Sequence, residues 1–115
     1  MLPRSARLTS PEDFARTTKS GVRTTSKSLV GYLYLTNQET AAAKCGLIIS
    51  KSVGGSVQRH RIARQLRHGL QPEISSLPTG ALLVIRALPT IKSANINSEL
   101  KSVISKLILK STVQK

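Results

Sequence analysis

One short apolar run constrains the fold of this chain more than any other part of its sequence. Residues 81–85, Ala-Leu-Leu-Val-Ile, follow a Pro-Thr-Gly turn signal at 78–80 and precede Pro89. An unbroken apolar run of this length between turn signals is typical of a strand that is buried on both faces. We therefore expect a central strand here, in a sheet that packs against other elements.

Three helices follow from capping signals and hydrophobic spacing. A serine and a proline with two acids behind them predict a helix over residues 11–20 that ends at Gly21. Ser56 follows two glycines and can cap a second helix that runs to about Leu70. Apolar residues at helical spacing over 96–108 predict the third helix.

The remaining strands complete an α+β fold. Residues 29–35 and 46–50 are predicted as two antiparallel strands, with 22–25 as a short addition before them. The order αβββαβα predicts a two-layer sandwich, with about three helices on a mostly antiparallel four-stranded sheet. At 115 residues we expect a single domain over 1–115 with a tail that frays from about residue 111.

The cellular compartment is predicted from what the sequence lacks. No apolar run approaches the roughly 18 residues of a membrane span, and the first residues lack the apolar stretch of a secretion signal. We therefore expect a cytoplasmic protein with no membrane partner. The lone Cys45 has apolar neighbours, which favour an inert thiol in a buried strand over a reactive one.

The charge of the chain predicts a polyanionic partner. Eighteen Lys and Arg residues oppose five Asp and Glu residues, which gives a net charge of +13. Charge of this size destabilises a small folded protein by self-repulsion unless a polyanion relieves it. The charge is also clustered, because residues 40–72 contain no acid. Clustering favours a binding site over a generally solvated surface.

The second helix is predicted to carry a cationic face. At 100° per residue, its apolar stripe consists of Ile62, Ala63, Leu66 and Leu70. The opposite face consists of His60, Arg61, Arg64, Arg67 and His68. Arg59 projects nearer the apolar stripe and is expected to reach over the edge of the sheet. Such arginines can meet successive phosphates and stack on unpaired bases, so RNA fits this face better than a membrane does.

No group of residues in the chain predicts catalysis. Lys51 precedes the glycines of the turn at 50–56, so the turn is not a Walker loop, although its amides can bind a phosphate. His60 and His68 lie about 12 Å apart along one helix, too far to act on one phosphodiester. The five carboxylates are too scattered to form a cluster of metal ligands.

Aromatic residues are few, and each has two possible roles. Phe14 lies on the first helix, whereas Tyr32 and Tyr34 share one face of a strand. Each ring either packs in the core or stacks on an unpaired base in a cleft between the first helix and the sheet.

Residues 44–67 read Lys-Cys-Gly-Leu-Ile-Ile-Ser-Lys-Ser-Val-Gly-Gly-Ser-Val-Gln-Arg-His-Arg-Ile-Ala-Arg-Gln-Leu-Arg. This is a strand that ends in Ser-Lys, then a glycine turn, then a helix with closely spaced arginines. The stretch resembles the protein subunit family of bacterial ribonuclease P, whose helix carries an Arg-Asn-Arg tripeptide. The pairs at 7–8 and 13–14 and Gly21 also match, so the similarity extends from about residue 7 to residue 110.

The resemblance implies a function and a set of contacts. It implies one protein bound to one large catalytic RNA, with precursor tRNA as the substrate and removal of its 5′ leader as the reaction. The RNA and its Mg²⁺ ions would perform the hydrolysis, so this chain would hold neither a catalytic residue nor a cofactor. The expected contacts to the catalytic RNA are Lys51, Arg59, His60, Arg61, Arg64 and Arg67. The expected contacts to the leader are Phe14, Tyr32 and Ser50.

The resemblance also implies a left-handed strand-helix-strand crossover, against the usual right-handed rule. The chain departs from the family pattern at four positions. His60 replaces the usual Asn, Ala63 a usual Lys, and Gly55 a common Asn, while Thr18 stands where many members have a second aromatic residue. By the resemblance, we expect Ala63 to leave affinity for the catalytic RNA resting more on Arg64, and Thr18 to leave Phe14 as the main stacking residue.

Two rival functions stay open from the residues alone. One is a structural RNA-binding protein of ribosomal or chaperone-like type, and the other is a stand-alone nuclease.

Overall fold

The computed structural model describes residues 7–8, 10–36, 43–74, 77, 80–89, 91 and 96–113. The three helices are α1 (Pro11–Ser20), α2 (Ser56–Leu70) and α3 (Ile96–Val113). The four strands are β1 (Val22–Thr25), β2 (Leu29–Leu35), β3 (Lys44–Ile49) and β4 (Ala81–Ala87). A single turn of 3₁₀ helix at Lys51–Val53 connects β3 to α2. The predicted α+β class and element order are confirmed.

The four strands form one sheet in the order β1-β2-β4-β3. β2 pairs antiparallel with both β1 and β4, whereas β3 pairs parallel with β4. The sheet is therefore mostly antiparallel, as expected. β2 and β3 run in opposite directions but are not neighbours, because the more apolar β4 lies between them. The parallel β3-α2-β4 connection is the crossover for which the resemblance implies a left hand, and that handedness stays a prediction.

Strand β4 occupies the centre of the sheet and is buried on both faces, as its apolar run predicts. Leu83 and Ile85 are fully buried in the main core, which they form with apolar residues of α2 and α3. Leu82 and Val84 point to the opposite face, into a smaller cluster with Leu8 near α1. The two-layer description thus applies to the main core, and α1 adds a partial third layer that covers the other face.

The helix boundaries agree with the capping signals, with two differences. α1 begins at Pro11 and is followed by Gly21, as predicted. α2 is capped by Gly55 rather than Ser56, because the backbone is still extended at Gly55 and Ser56 is already helical. α3 continues to Val113, so the helix includes the first three residues of the tail that was expected to fray.

Cys45 lies in β3 with 3% of its surface exposed. Burial raises the pKa of its thiol to about 12, because the thiolate loses its hydration. The thiol is therefore protonated and inert at neutral pH, which agrees with the core role expected from its neighbours. No helix among the described residues is long and apolar enough to cross a bilayer.

Candidate nucleic-acid interface

Helix α2 separates an apolar side from a cationic one. Ile62, Leu66 and Leu70 are at most 2% exposed and anchor the helix to the main core. The cationic side carries the residues expected to bind the catalytic RNA, which we call the α2 basic surface: Arg59, His60, Arg61, Arg64 and Arg67. His60, Arg61 and Arg64 are exposed, as the helical periodicity predicts.

The arginines of the α2 basic surface have no acidic partners in the part of the chain that the structure describes. Of the described acids, Glu12 and Asp13 lie in the first turn of α1, Glu73 follows the end of α2, and Glu99 lies on α3, and none forms an ion pair with these arginines. The positive charge of α2 is therefore uncompensated within the described fold. A surface of this kind can bind phosphates and release their counterions.

Two arginines are half-buried because they lean toward strand β3. Arg59 and Arg67 line a groove between α2 and β3, together with Leu47 and Ile49 of the strand. Arg59 therefore reaches over the edge of the sheet, as its place on the helical wheel indicates. We call this feature the α2–β3 groove.

The two histidines of α2 lie on different sides of the helix. His60 lines the α2–β3 groove. His68 instead lines a cleft beside α3, with Ile96 and Asn97. The structure thus separates the two imidazoles in direction as well as along the helix axis, which disfavours a joint acid-base role.

Ser50 and Lys51 lie at the junction between β3 and α2, and both are exposed. The Ser50 and Ser52 hydroxyl oxygens are 2.6 Å apart and share a hydrogen bond. The chain then turns sharply at Gly54, whose φ of 153° is strained for any residue with a side chain. This turn presents Ser50 and Lys51 next to the start of α2.

On the opposite face of the sheet, α1 packs over β2 and β4 and places the Phe14 ring on β3. A Cβ added to Gly46 would lie 2.7 Å from Cε1 of Phe14, so the aromatic ring rests directly on the backbone of the strand. Ile48 lies on the same face, and Ser50 continues this alternation because its backbone is still extended. Phe14 and Ser50, both expected to contact the leader, thus lie on the same face of β3, and we call the surface between α1 and the end of this strand the α1–β3 cleft.

Tyr32 has a different environment from Phe14. It is 8% exposed and packs in the smaller cluster with Val30 and Val84, and Tyr34 packs against the same cluster. The two tyrosines share a sheet face, as predicted. Burial leaves little of the Tyr32 ring for a base to contact, and its role in leader binding stays a prediction.

One basic residue of the α1–β3 cleft was missed by the sequence analysis. Arg86 is exposed on β4 and pairs in register with Ile48 on β3 and Val30 on β2. It therefore lies one strand over from Gly46 and two residues further along the sheet, an offset of about 7 Å in the strand direction. Its signal was present in the sequence, because strict alternation after Val84 places residue 86 on the same face.

Comparison with known proteins identifies the family of this chain. The family model described as Ribonuclease P matches residues 2–111. The chain belongs to the ribonuclease P protein family. A ribonuclease P protein component from Mycobacterium sp. (strain KMS) is 40% identical over 94 residues, which are 82% of this chain and 80% of the relative. Another, from Mycobacteroides abscessus, is 41% identical over 109 residues, covering 88% and 86% of the two chains.

Solved structures of ribonuclease P proteins share the fold. The protein from Staphylococcus aureus superimposes with a TM-score of 0.77 at 24% identity, covering 89% of this chain and 96% of the other. The protein from Thermotoga maritima, in complex with 1-(4-fluorophenyl)-2-thiourea, gives 0.76 at 15% identity, covering 87% and 98%. The resemblance read from residues 44–67 is therefore confirmed, and this chain has the role of a ribonuclease P protein subunit.

Proposed function

We propose that this chain binds the catalytic RNA of ribonuclease P through the α2 basic surface and the 5′ leader of precursor tRNA in the α1–β3 cleft. We also propose that one protein binds one RNA, and that this complex is cytoplasmic. The observation that carries the proposal is that α2 presents arginines with no acidic partner among the described residues, while its other side is sealed into the core.

The two surfaces suit two kinds of RNA. The exposed arginines of α2 lie on a rigid helix at spacings of about 5 Å, which fits the backbone phosphates of a folded RNA. The α1–β3 cleft combines the Phe14 ring with the Arg86 cation on the same sheet face. An unpaired strand offers both bases for stacking and phosphates for pairing, so the leader fits this cleft.

The proposed role of the protein in the reaction is positioning. By holding the leader and the catalytic RNA at once, it would raise the affinity of the ribozyme for substrates that still carry a leader. Among the described residues, no cluster of His, Cys, Asp or Glu has the composition to hold a metal ion. We therefore assign the Mg²⁺ ions to RNA phosphates. Phosphates supply the hard oxygen ligands that Mg²⁺ prefers, and Mg²⁺ ions bound there would support the hydrolysis.

Reconstitution tests this proposal against its two rivals. Purified protein is incubated with precursor tRNA, with and without the catalytic RNA from the same organism. We expect no cleavage by the protein alone and faster cleavage when it joins the RNA. Cleavage without added RNA would instead establish a stand-alone nuclease. Binding to RNA without any stimulation of the ribozyme would favour a structural protein of ribosomal type.

A double substitution tests the α2 basic surface itself. Arg61→Ala with Arg64→Ala should weaken binding to the catalytic RNA and lower the salt slope of binding by roughly 0.7 to 0.9 for each phosphate that the protein no longer neutralises. Lys101→Ala with Lys106→Ala is the matched control, because it removes the same charge from exposed positions on α3. Equal effects of the two variants would show that α2 contributes only net charge.

A further inference from the structure

The α2–β3 groove has a floor that phosphate binding does not explain. Leu47, Ile49 and Ala63 line a groove of about 360 Å³ between the strand and the helix. A phosphate gains nothing from aliphatic carbon, so an RNA duplex lying across α2 would leave this floor uncovered. The volume is at the low end of the range of small-ligand sites, roughly 300–1,000 Å³, which suits an occupant of about the size of one nucleotide.

The polar lining of the groove requires an acceptor. Nε of Arg59 is buried and has no hydrogen-bond partner among the described residues. A buried donor without a partner is destabilising, so its presence points to an absent acceptor. Arg67, His60 and Ser56 line the same groove. Its wall is therefore cationic and contains further donors, which suits an anion.

Ala63 lies between the two guanidinium groups of the groove. Arg59, Ala63 and Arg67 follow one another at four-residue intervals, so they share one flank of α2. The small side chain of Ala63 leaves the space between the two arginines open. The open space has cations at both ends and apolar carbon beneath it.

A single unpaired nucleotide matches this combination of an apolar floor and a cationic wall. Its phosphate supplies the acceptor for the arginines, and its base has an apolar face that can cover aliphatic side chains. Paired bases in a helix are stacked on each other and cannot reach the floor.

We propose that the α2–β3 groove binds one unpaired nucleotide of the catalytic RNA, with its phosphate at Arg59 and Arg67 and its base over Leu47, Ile49 and Ala63. The identity of the RNA rests on the proposed function. The chemistry of the groove does not, so the two can be tested separately.

The first test uses the free protein and small probes. Methyl resonances of Leu47, Ile49 and Ala63 are followed by NMR while 5′-AMP, adenosine or inorganic phosphate is added. We expect 5′-AMP to shift these methyl resonances more than either adenosine or phosphate does. The Leu109 methyls are the internal control, because Leu109 is exposed on α3 and lies outside the groove lining. Equal shifts with phosphate alone, or none with 5′-AMP, would overturn the proposal.

The second test fills the groove without removing a charge. Ala63→Leu should reduce affinity for the catalytic RNA about tenfold, because the larger side chain occupies the space that the base would fill. Chemical probing of the bound RNA should show one unpaired nucleotide that the wild-type protein protects and the variant does not. Val57→Leu is the control, because Val57 is 75% exposed on the same helix and lies outside the groove lining.

The outcomes separate this inference from the proposed function. If Ala63→Leu keeps wild-type affinity and the same protected nucleotides, the groove does not bind RNA and the inference is wrong. If the wild-type protein itself fails to bind the catalytic RNA, the proposed function is wrong, and the 5′-AMP titration alone decides whether the groove takes a nucleotide. Thermal unfolding of both variants checks that each is folded.

Discussion

At the scale of single residues, the contact between Phe14 and Gly46 defines the α1–β3 cleft. Any side chain at position 46 would collide with the ring, so the glycine lets the aromatic ring lie against the strand. Thr18, one helical turn after Phe14, turns its hydroxyl back to the Phe14 carbonyl at 3.0 Å. It therefore offers no second stacking surface, and Phe14 is the main aromatic wall of the cleft.

Replacement of Phe14 tests its role in leader binding. Phe14→Leu keeps apolar packing on Gly46 but removes the aromatic face, so affinity for leader-bearing precursor tRNA should fall by about 1–3 kcal/mol. Affinity of the reconstituted holoenzyme for mature tRNA should stay unchanged, because mature tRNA has no leader. Fluorescence titration with the two RNAs measures both. Equal losses for both would show that Phe14 acts only in packing.

The sequence predicts the exposure of individual side chains best where a helical wheel fixes the direction in which each one points. Arg61 and Arg64 are exposed where the wheel places them, and Arg59 leans toward the sheet as expected. Arg67 was expected on the outward face but is half-buried against β3, because the groove brings the strand up to that flank of the helix. Arg86 was not predicted because the continuous apolar run at 81–85 indicates burial on both sheet faces. Such a run hides the alternation of side chains that places residue 86 on the same face as Val84. The α2–β3 groove was also missed, because its floor comes from β3 and its wall from α2. Such an arrangement depends on tertiary packing, which no local pattern contains.

At the scale of elements, one carboxylate joins α3 to the β1–β2 turn. Glu99 accepts hydrogen bonds from the hydroxyl of Ser26 and from both the amide and hydroxyl of Ser28. Burial pushes the pKa of Glu99 upward, but the hydrogen bonds to its charged form outweigh burial and the pKa is lowered from 4.5. The ionised carboxylate thus holds the first turn of α3 against the hairpin.

This contact predicts a pH dependence of stability. Because the pKa of Glu99 is lower in the folded state, its contribution is complete above pH 4.5 and disappears as the pH falls through the lower, folded-state pKa. Glu99→Gln should reduce the free energy of unfolding at pH 7 by about 1 kcal/mol, a value discounted for partial exposure. Urea unfolding at pH 7 and pH 3 should show the difference from wild type shrinking at pH 3. A constant difference, or an equal loss for Glu12→Gln, would contradict this role.

Element boundaries followed from the sequence more readily than strand neighbours did. Proline and glycine fix both ends of α1, and a continuous apolar run identifies β4, so local chemistry is sufficient there. The separation of β2 from β3 by β4 does not follow from local chemistry. Strand order depends on which strand buries most apolar surface at the centre of the sheet. Antiparallel direction was predicted correctly for β2 and β3, while their non-adjacency was not.

At the scale of the whole molecule, the net charge of +13 sets two opposite responses to salt. Salt screens repulsion among the basic residues of the free protein, so its melting temperature should rise by a few degrees between 0.05 M and 0.5 M NaCl. The same salt should weaken binding to the catalytic RNA, because the release of counterions gains less entropy in a more concentrated salt solution. Thermal unfolding and filter binding measure the two responses.

The variant with Arg61→Ala and Arg64→Ala links these two measurements. It removes two neighbouring cations from α2 that have no acidic partner among the described residues, so repulsion in the free protein decreases. Its melting temperature at low salt should therefore equal or exceed that of the wild type, while its affinity for the catalytic RNA falls. A protein surface selected for binding rather than for stability behaves in this way. A lower melting temperature at low salt would instead show that these arginines stabilise the fold and would weaken their assignment to RNA binding.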